Sequence, residues 1–157
     1  MASTQQHSAF GIGFIAFVLT IGVSIGFYQL VYIPAISAKP QIPEEILNPL
    51  TTTEIKIISG SADPEQQDNF VPKLVEVELA ANNKVIWIND DDIGHTVTTD
   101  TDAIDKYTGR FDSLDTIGLV QPGKSYEFLF TQEGEFPYHC EPHPWMTGLV
   151  KVVRQKF

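Results

Sequence analysis

A single cysteine, Cys140, is the only thiol in 157 residues. No intrachain disulfide, no four-cysteine zinc knuckle and no centre bridged by two thiolates can therefore form. Positive charge is also scarce. Ten Lys and Arg stand against 20 Asp and Glu, a net of −10, which excludes a surface built to track nucleic-acid phosphates. There is no phosphate-cradling glycine loop, HExxH helix or nucleophile elbow, and no internal repeat or low-complexity tract. No Lys, Arg, Asp or Glu precedes Lys39, so every charge lies in the last 119 positions. The chain is two objects, an uncharged N-terminal stretch and a charged remainder long enough for one core.

Residues 1–9 read as a short tail, and residues 10–33 are FGIGFIAFVLTIGVSIGFYQLVYI. As a helix these 24 residues span roughly 36 Å at about 1.5 Å each, against a hydrocarbon core of about 30 Å. Tyr28 and Tyr32 suit the headgroup layer, and Pro34 marks the expected exit. The competing reading is a cleaved signal peptide, with Ala35 and Ser37 as small residues before a processing site. The length of the apolar run and the absence of any basic residue ahead of it favour a retained anchor in the bilayer. Lys39 alone weakly favours the wrong side for an exported domain, so placement outside the cytoplasm is inferred from the domain's chemistry. Gly22 and Gly26 form a GxxxG pattern that permits a helix-mediated homodimer. Residues 34–53, with Pro40, Pro43 and Pro49, read as a stiff spacer ahead of a domain over 54–157.

In that domain the hydrophobic period becomes two. Val75, Val77 and Leu79 alternate with Glu76 and Glu78, Val85 and Trp87 with Ile86 and Ile88, and Tyr126, Phe128 and Phe130 with Glu127 and Leu129. Turn signals fall at Ala81-Asn82-Asn83, Asp90-Asp91-Asp92, Gln121-Pro122-Gly123 and Glu133-Gly134. These spacings predict an all-β antiparallel sandwich without a helix.

One dense constellation remains, Tyr138-His139-Cys140-Glu141-Pro142-His143-Pro144-Trp145-Met146, with the spacing C-x2-H-x2-M. A thiolate, an imidazole and a thioether in one short turn form a soft donor set suited to copper rather than magnesium or calcium. A second imidazole must come from elsewhere. His7 precedes the membrane run and His139 points away from Cys140 on a strand, which leaves His95. Two His, one Cys and a weak axial Met make up the ligand set of a type 1 copper site.

Residues 70–153 resemble the plastocyanin and amicyanin branch of the cupredoxins. The matching features are Phe70-Val71-Pro72, Val85-Ile86-Trp87-Ile88-Asn89, His95-Thr96-Val97, Phe111-Asp112-Ser113, Gln121-Pro122-Gly123-Lys124-Ser125 and residues 134–148. The short step from His143 to Met146 is closer to the amicyanin type. The resemblance implies an eight-stranded Greek-key β-sandwich holding one copper. His95, Cys140 and His143 would be equatorial ligands and Met146 the axial one. It further implies a one-electron carrier between Cu(I) and Cu(II), with no catalytic residues of its own. The acidic surface, Asp90 to Asp92 included, is expected to favour redox partner proteins with basic docking faces.

One detail of the ligand loop, two departures and three alternatives accompany that reading. Pro142 has no N–H to give the Cys140 sulfur, and Glu141 brings a carboxylate near the metal; both should lower the potential. Residues 99–110 form a longer loop than compact relatives carry, expected to lie in solvent rather than along the copper edge. Pro142, Pro144 and Trp145 are expected to form an apolar rim around His143. A His beside the copper Cys is similar to copper nitrite reductases, but after His95 and His143 the domain has no further His for a second copper. A redox enzyme acting on nitric oxide or nitrite at an open copper position, and copper delivery to a membrane oxidase, are the remaining alternatives to a carrier.

Overall fold

A computed structural model describes residues 3–37, 42–102 and 104–154, and the chain separates into two compact units, Met1–Gln41 and Ile42–Phe157. In the first, helix α1 (Ser3–Phe27) passes through a π-helical turn (Tyr28–Tyr32) into helix α2 (Ile33–Ser37). Pro34, the expected exit from the bilayer, does not end the helix. Proline lacks an N–H and its ring crowds the carbonyl four residues earlier, which breaks an ordinary α-turn. Here the turn ahead of it widens, with the Ile33 N–H reaching the Tyr28 carbonyl five residues back, and the helix continues. The apolar stretch Gly11–Ser37 is 27 residues long, sufficient to cross a bilayer, and none of it is buried. Lys39 and Pro40, on which the sidedness argument and part of the spacer rested, lie outside the described residues.

The remaining spacer is more structured than predicted. Residues Glu44–Leu47 form a single helical turn, α3, opened by Pro43. Ile46 packs against the domain core and its carbonyl accepts a 2.9 Å hydrogen bond from Asn83 Nδ2. Strand β1 (Thr52–Ile57) then starts two residues ahead of the expected boundary at 54.

The second unit is a sandwich of two four-stranded sheets. β1 lies between β2 (Phe70–Val71) and β4 (Lys84–Asn89), and β8 (Ser125–Leu129) completes the sheet beyond β4. The facing sheet runs in the order β3 (Leu74–Glu78), β10 (His143–Val153), β9 (Gly134–Cys140), β5 (Thr98–Thr99). β1 pairs with β4, and β3 with β10, in parallel; the other pairs are antiparallel. The inward residues are the alternating sets read from the sequence: Val75, Val77 and Leu79, Val85 and Trp87, and Tyr126, Phe128 and Phe130 are all buried. At about 25 cal/mol per Å2 of apolar area removed from water, such side chains dominate the folding free energy. Trp87 occupies the centre, its ring 5.3 to 5.6 Å from those of Phe111, Tyr126 and Tyr138.

Beyond these eight strands the 99–110 loop forms a small hairpin of β6 (Ile104–Asp105) and β7 (Gly109–Arg110). Its Ile104, Lys106 and Arg110 face solvent, as expected, while one carboxylate ties it to the domain. The Asp105 carboxylate accepts hydrogen bonds from the backbone N–H groups of Tyr107, Thr108 and Thr131 and from the Thr131 hydroxyl. Thr131 follows β8 at the edge where Lys84 pairs with Leu129. That edge is opposite to Asn89, where β4 leads to His95.

Candidate metal centre

Two segments meet at that end of the sandwich. The first leaves β4 at Asn89, whose buried amide donates to the carbonyls of Ile93 (2.7 Å) and Val120 (2.8 Å) and whose side-chain oxygen accepts the Asp91 N–H. One side chain thereby folds the 89–93 turn and ties it to residue 120. His95 is held to Val120 by two backbone hydrogen bonds, N–H to carbonyl in each direction. The second segment is the turn from β9 to β10, in which His143 pairs with Cys140 across a two-residue step and a bulge follows between His143 and Thr147. A bulge re-aims side chains at a strand end.

These backbones bring three of the four predicted ligands together. The donor atoms of His95, Cys140 and His143 all lie within 4.8 Å of one another. Cys140 Sγ is 3.7 Å from His95 Nδ1 and 3.4 Å from His143 Nδ1. Nitrogen and sulfur donors about 2.0 and 2.3 Å from a shared first-row metal sit roughly 3.5–3.7 Å apart, so the arrangement fits a single ion without rebuilding. The imidazole rings are 4.9 Å apart. His95 and Cys140 are fully buried, whereas His143 is half-buried. Met146 is fully buried in the core cluster at the same end of β10, three residues after His143.

Burial pushes the Cys140 thiol up, against hydrogen bonds from Thr96 and His143 that favour its thiolate. Burial also pushes His143 down, reinforced by the neighbouring His95. A raised thiol keeps its proton until a bound cation displaces it, and a depressed imidazole stays neutral and able to ligate. The sulfur does receive donors despite Pro142: the Thr96 N–H points at Sγ at 3.3 Å. The Thr96 hydroxyl accepts the Glu141 N–H at 2.8 Å, locking the two ligand segments together. The Glu141 carboxylate approaches His139 Nε2 (3.5 Å) rather than the three donors. His139 faces the other side of β9, where its Nδ1 contacts the Asp100 carboxylate. Among the described residues, no second grouping of His, Cys and acids converges as a metal site would.

Pro142, Pro144 and Trp145 are exposed around His143, as the rim expectation had it. The Trp145 ring lies 5.3 Å from that of His143, and its Nε1 donates to the Ser61 carbonyl at 3.1 Å. Sequence reasoning missed Asp91. Taken as part of an exposed acidic run, it is only 6 % exposed and its Oδ2 lies 2.9 Å from His95 Nε2. The available signal was a carboxylate four residues ahead of a ligand His within one tight turn.

A family profile described as copper binding proteins, plastocyanin/azurin family, matches residues 60–153. Amicyanin of Paracoccus denitrificans is 25% identical over 118 residues, 75% of this chain and 82% of that protein. Plastocyanin of Cucurbita pepo is 28% identical over 102 residues, 62% of this chain and 99% of its own length. Among solved structures, a purple cupredoxin from Nitrosopumilus maritimus is 29% identical with a TM-score of 0.52, covering 64% of this chain and 99% of that one. With the match to residues 60–153 and the convergence of His95, Cys140 and His143 at one end of the sandwich, the chain belongs to the plastocyanin/azurin family of copper-binding proteins.

Proposed function

We propose that this protein carries single electrons between redox partners, with His95, Cys140 and His143 as equatorial copper ligands and Met146 as the axial one. The observation that carries the reading is the convergence of one thiol and two imidazoles within 4.8 Å at a rigid sheet end. Copper held there would supply one-electron exchange between Cu(I) and Cu(II). The protein's part is to hold the donors in one geometry for both states. The Asn89 amide, the His95–Val120 pair and the Thr96 bridge to Glu141 are suited to that task. His143 is the donor with partial exposure, and the Pro142, Pro144 and Trp145 rim beside it is the natural place for a partner to approach. Full burial of Met146 disfavours an open position for nitric oxide or nitrite. The similarity to amicyanin and plastocyanin supports the carrier over copper delivery.

We further propose that the N-terminal helix anchors the chain as a single span, with the copper domain on the extracytoplasmic side. The 27-residue apolar stretch supports the span. The net charge of −10 supports partners with basic faces.

The test is a Cu(II) titration of the full chain in detergent, followed by visible absorption and EPR. An intense thiolate-to-copper band saturating at one copper per chain is expected. A weak, colourless copper signal would rule out Cys140 as a ligand and leave copper delivery as the better account.

A further inference from the structure

Asp91 is buried where a lone carboxylate should not be. Its neighbours Asp90 and Asp92 are exposed, yet Asp91 is turned inward beneath His95. Moving an ionised carboxylate out of water is costly unless donors replace the lost hydration. Three are in place. The Gly60 N–H donates to Oδ1 at 2.9 Å, the Asp92 N–H donates to the same oxygen at 2.9 Å, and His95 Nε2 lies 2.9 Å from Oδ2. These three contacts give back the hydrogen bonds that an ionised carboxylate loses on leaving water.

The donor from Gly60 is itself a built feature. Gly60 has φ +84, a conformation that a residue with a side chain adopts only with strain. It belongs to the 58–69 segment, which also supplies the Ser61 carbonyl to Trp145. A loop outside the two ligand segments therefore fixes the Asp91 carboxylate from behind.

An ionised carboxylate can only accept, so the imidazole nitrogen facing it must carry hydrogen. That leaves His95 Nδ1 unprotonated in the neutral ring, and Nδ1 is the atom 3.7 Å from Cys140 Sγ. We propose that Asp91 is a positioning residue for the metal centre: it fixes the tautomer and ring orientation of His95, and by adding negative charge behind the imidazole it favours Cu(II) over Cu(I). This rests on the copper reading given above. A carboxylate or carbonyl behind a ligating imidazole raises its basicity, and removing such a partner typically costs about 10–100-fold in metal affinity.

The test uses the full chain and three variants, Asp91→Ala, Asp91→Asn and Asp92→Asn. In copper-free protein with 15N-labelled histidine, NMR should show His95 protonated at Nε2 and bare at Nδ1. In Asp91→Ala the Nε2 hydrogen should exchange faster. After copper loading, Asp91→Ala should lose about 10–100-fold in Cu(II) affinity and less in Cu(I) affinity. Its potential then rises by about 59 mV for each tenfold difference between the two losses. Asp91→Asn keeps an acceptor without the charge and should fall between it and the wild type, which also covers a failure of the alanine variant to fold. Asp92→Asn removes the same charge from an exposed neighbour and should move the potential far less. An Nδ1-protonated His95 in the wild type overturns the proposal, as does a potential in folded Asp91 variants no different from that of Asp92→Asn. If the wild type gives no thiolate band, the copper reading itself has failed and the proposal falls with it. The NMR of copper-free protein separates that outcome from a failure of the Asp91–His95 pair alone.

Discussion

At the scale of single residues, the thiol and the thioether carry different consequences. Cys140 is fully buried and accepts the Thr96 N–H, a bond that a hydroxyl can also accept. Cys140→Ser should therefore retain the fold, at a cost of about 1–3 kcal/mol for placing a hydroxyl in an apolar site. The thiolate-to-copper band should vanish, and circular dichroism with visible absorption reads both outcomes. A surviving band would exclude Cys140 as the ligand. Met146 is buried against the core, so Met146→Leu is close in volume and should cost less than about 1.5 kcal/mol. Loss of a thioether donor should raise the reduction potential while strong colour remains, and voltammetry that shows no shift would place Met146 away from the metal. The C-x2-H-x2-M spacing made these residues legible because all three fall within one turn. For Asp91 the four-residue spacing to His95 was a local signal of contact, but its burial was not legible, because that depends on the Gly60 N–H, 31 residues earlier.

At the scale of elements, the core strands were readable because each exposes one face to water and buries the other, which forces alternation into the sequence. The β6–β7 hairpin has no such alternation, since it is held by one carboxylate rather than by an apolar face. Asp105 lies below its ordinary value of 3.8, with burial opposed by hydrogen bonds from Thr131, Tyr107 and Thr108. A carboxyl depressed in the fold contributes stability that is fully present above its unfolded value and lost as pH falls through the folded one. Asp105→Asn should thus lower stability by a constant amount above about pH 5, and the difference should shrink below about pH 4. Urea unfolding across that range measures it, and a pH-independent difference would refute the role given to the charge. Pairing of β9 with β10 imposes a second requirement. A Cβ at Gly148 would sit 2.3 Å from the ring of Tyr138, itself fully buried and unable to retreat. Gly148→Ala should destabilise by about 1–3 kcal/mol or more through overpacking, measured by chemical denaturation.

At the scale of the whole molecule, the division into two units was plain in the sequence, because the 27-residue apolar stretch carries no charged residue and the rest of the chain carries them all. The end of the helix was less plain. Pro34 reads as a stop by its missing N–H, yet a π-turn over Tyr28–Tyr32 absorbs it and the helix reaches Ser37. The charge of −10 then acts on everything that diffuses toward the domain. Field lines from a single-sign surface accelerate oppositely charged reagents and retard like-charged ones, and salt removes both effects. The Debye length falls from about 30 Å at 0.01 M ionic strength to about 3 Å at 1 M, so the whole surface contributes at the first and only near neighbours at the second. Oxidation of the copper-loaded, reduced protein by a cationic one-electron reagent should therefore slow by tenfold or more across that range, consistent with steering factors of about 10–1000. An anionic reagent of similar size and potential should speed up over the same interval. Stopped-flow absorbance at the copper band measures both. Equal salt dependence for the two reagents would show that electrons leave through a face from which the acidic groups are screened, and the His143 rim would then act by apolar contact alone.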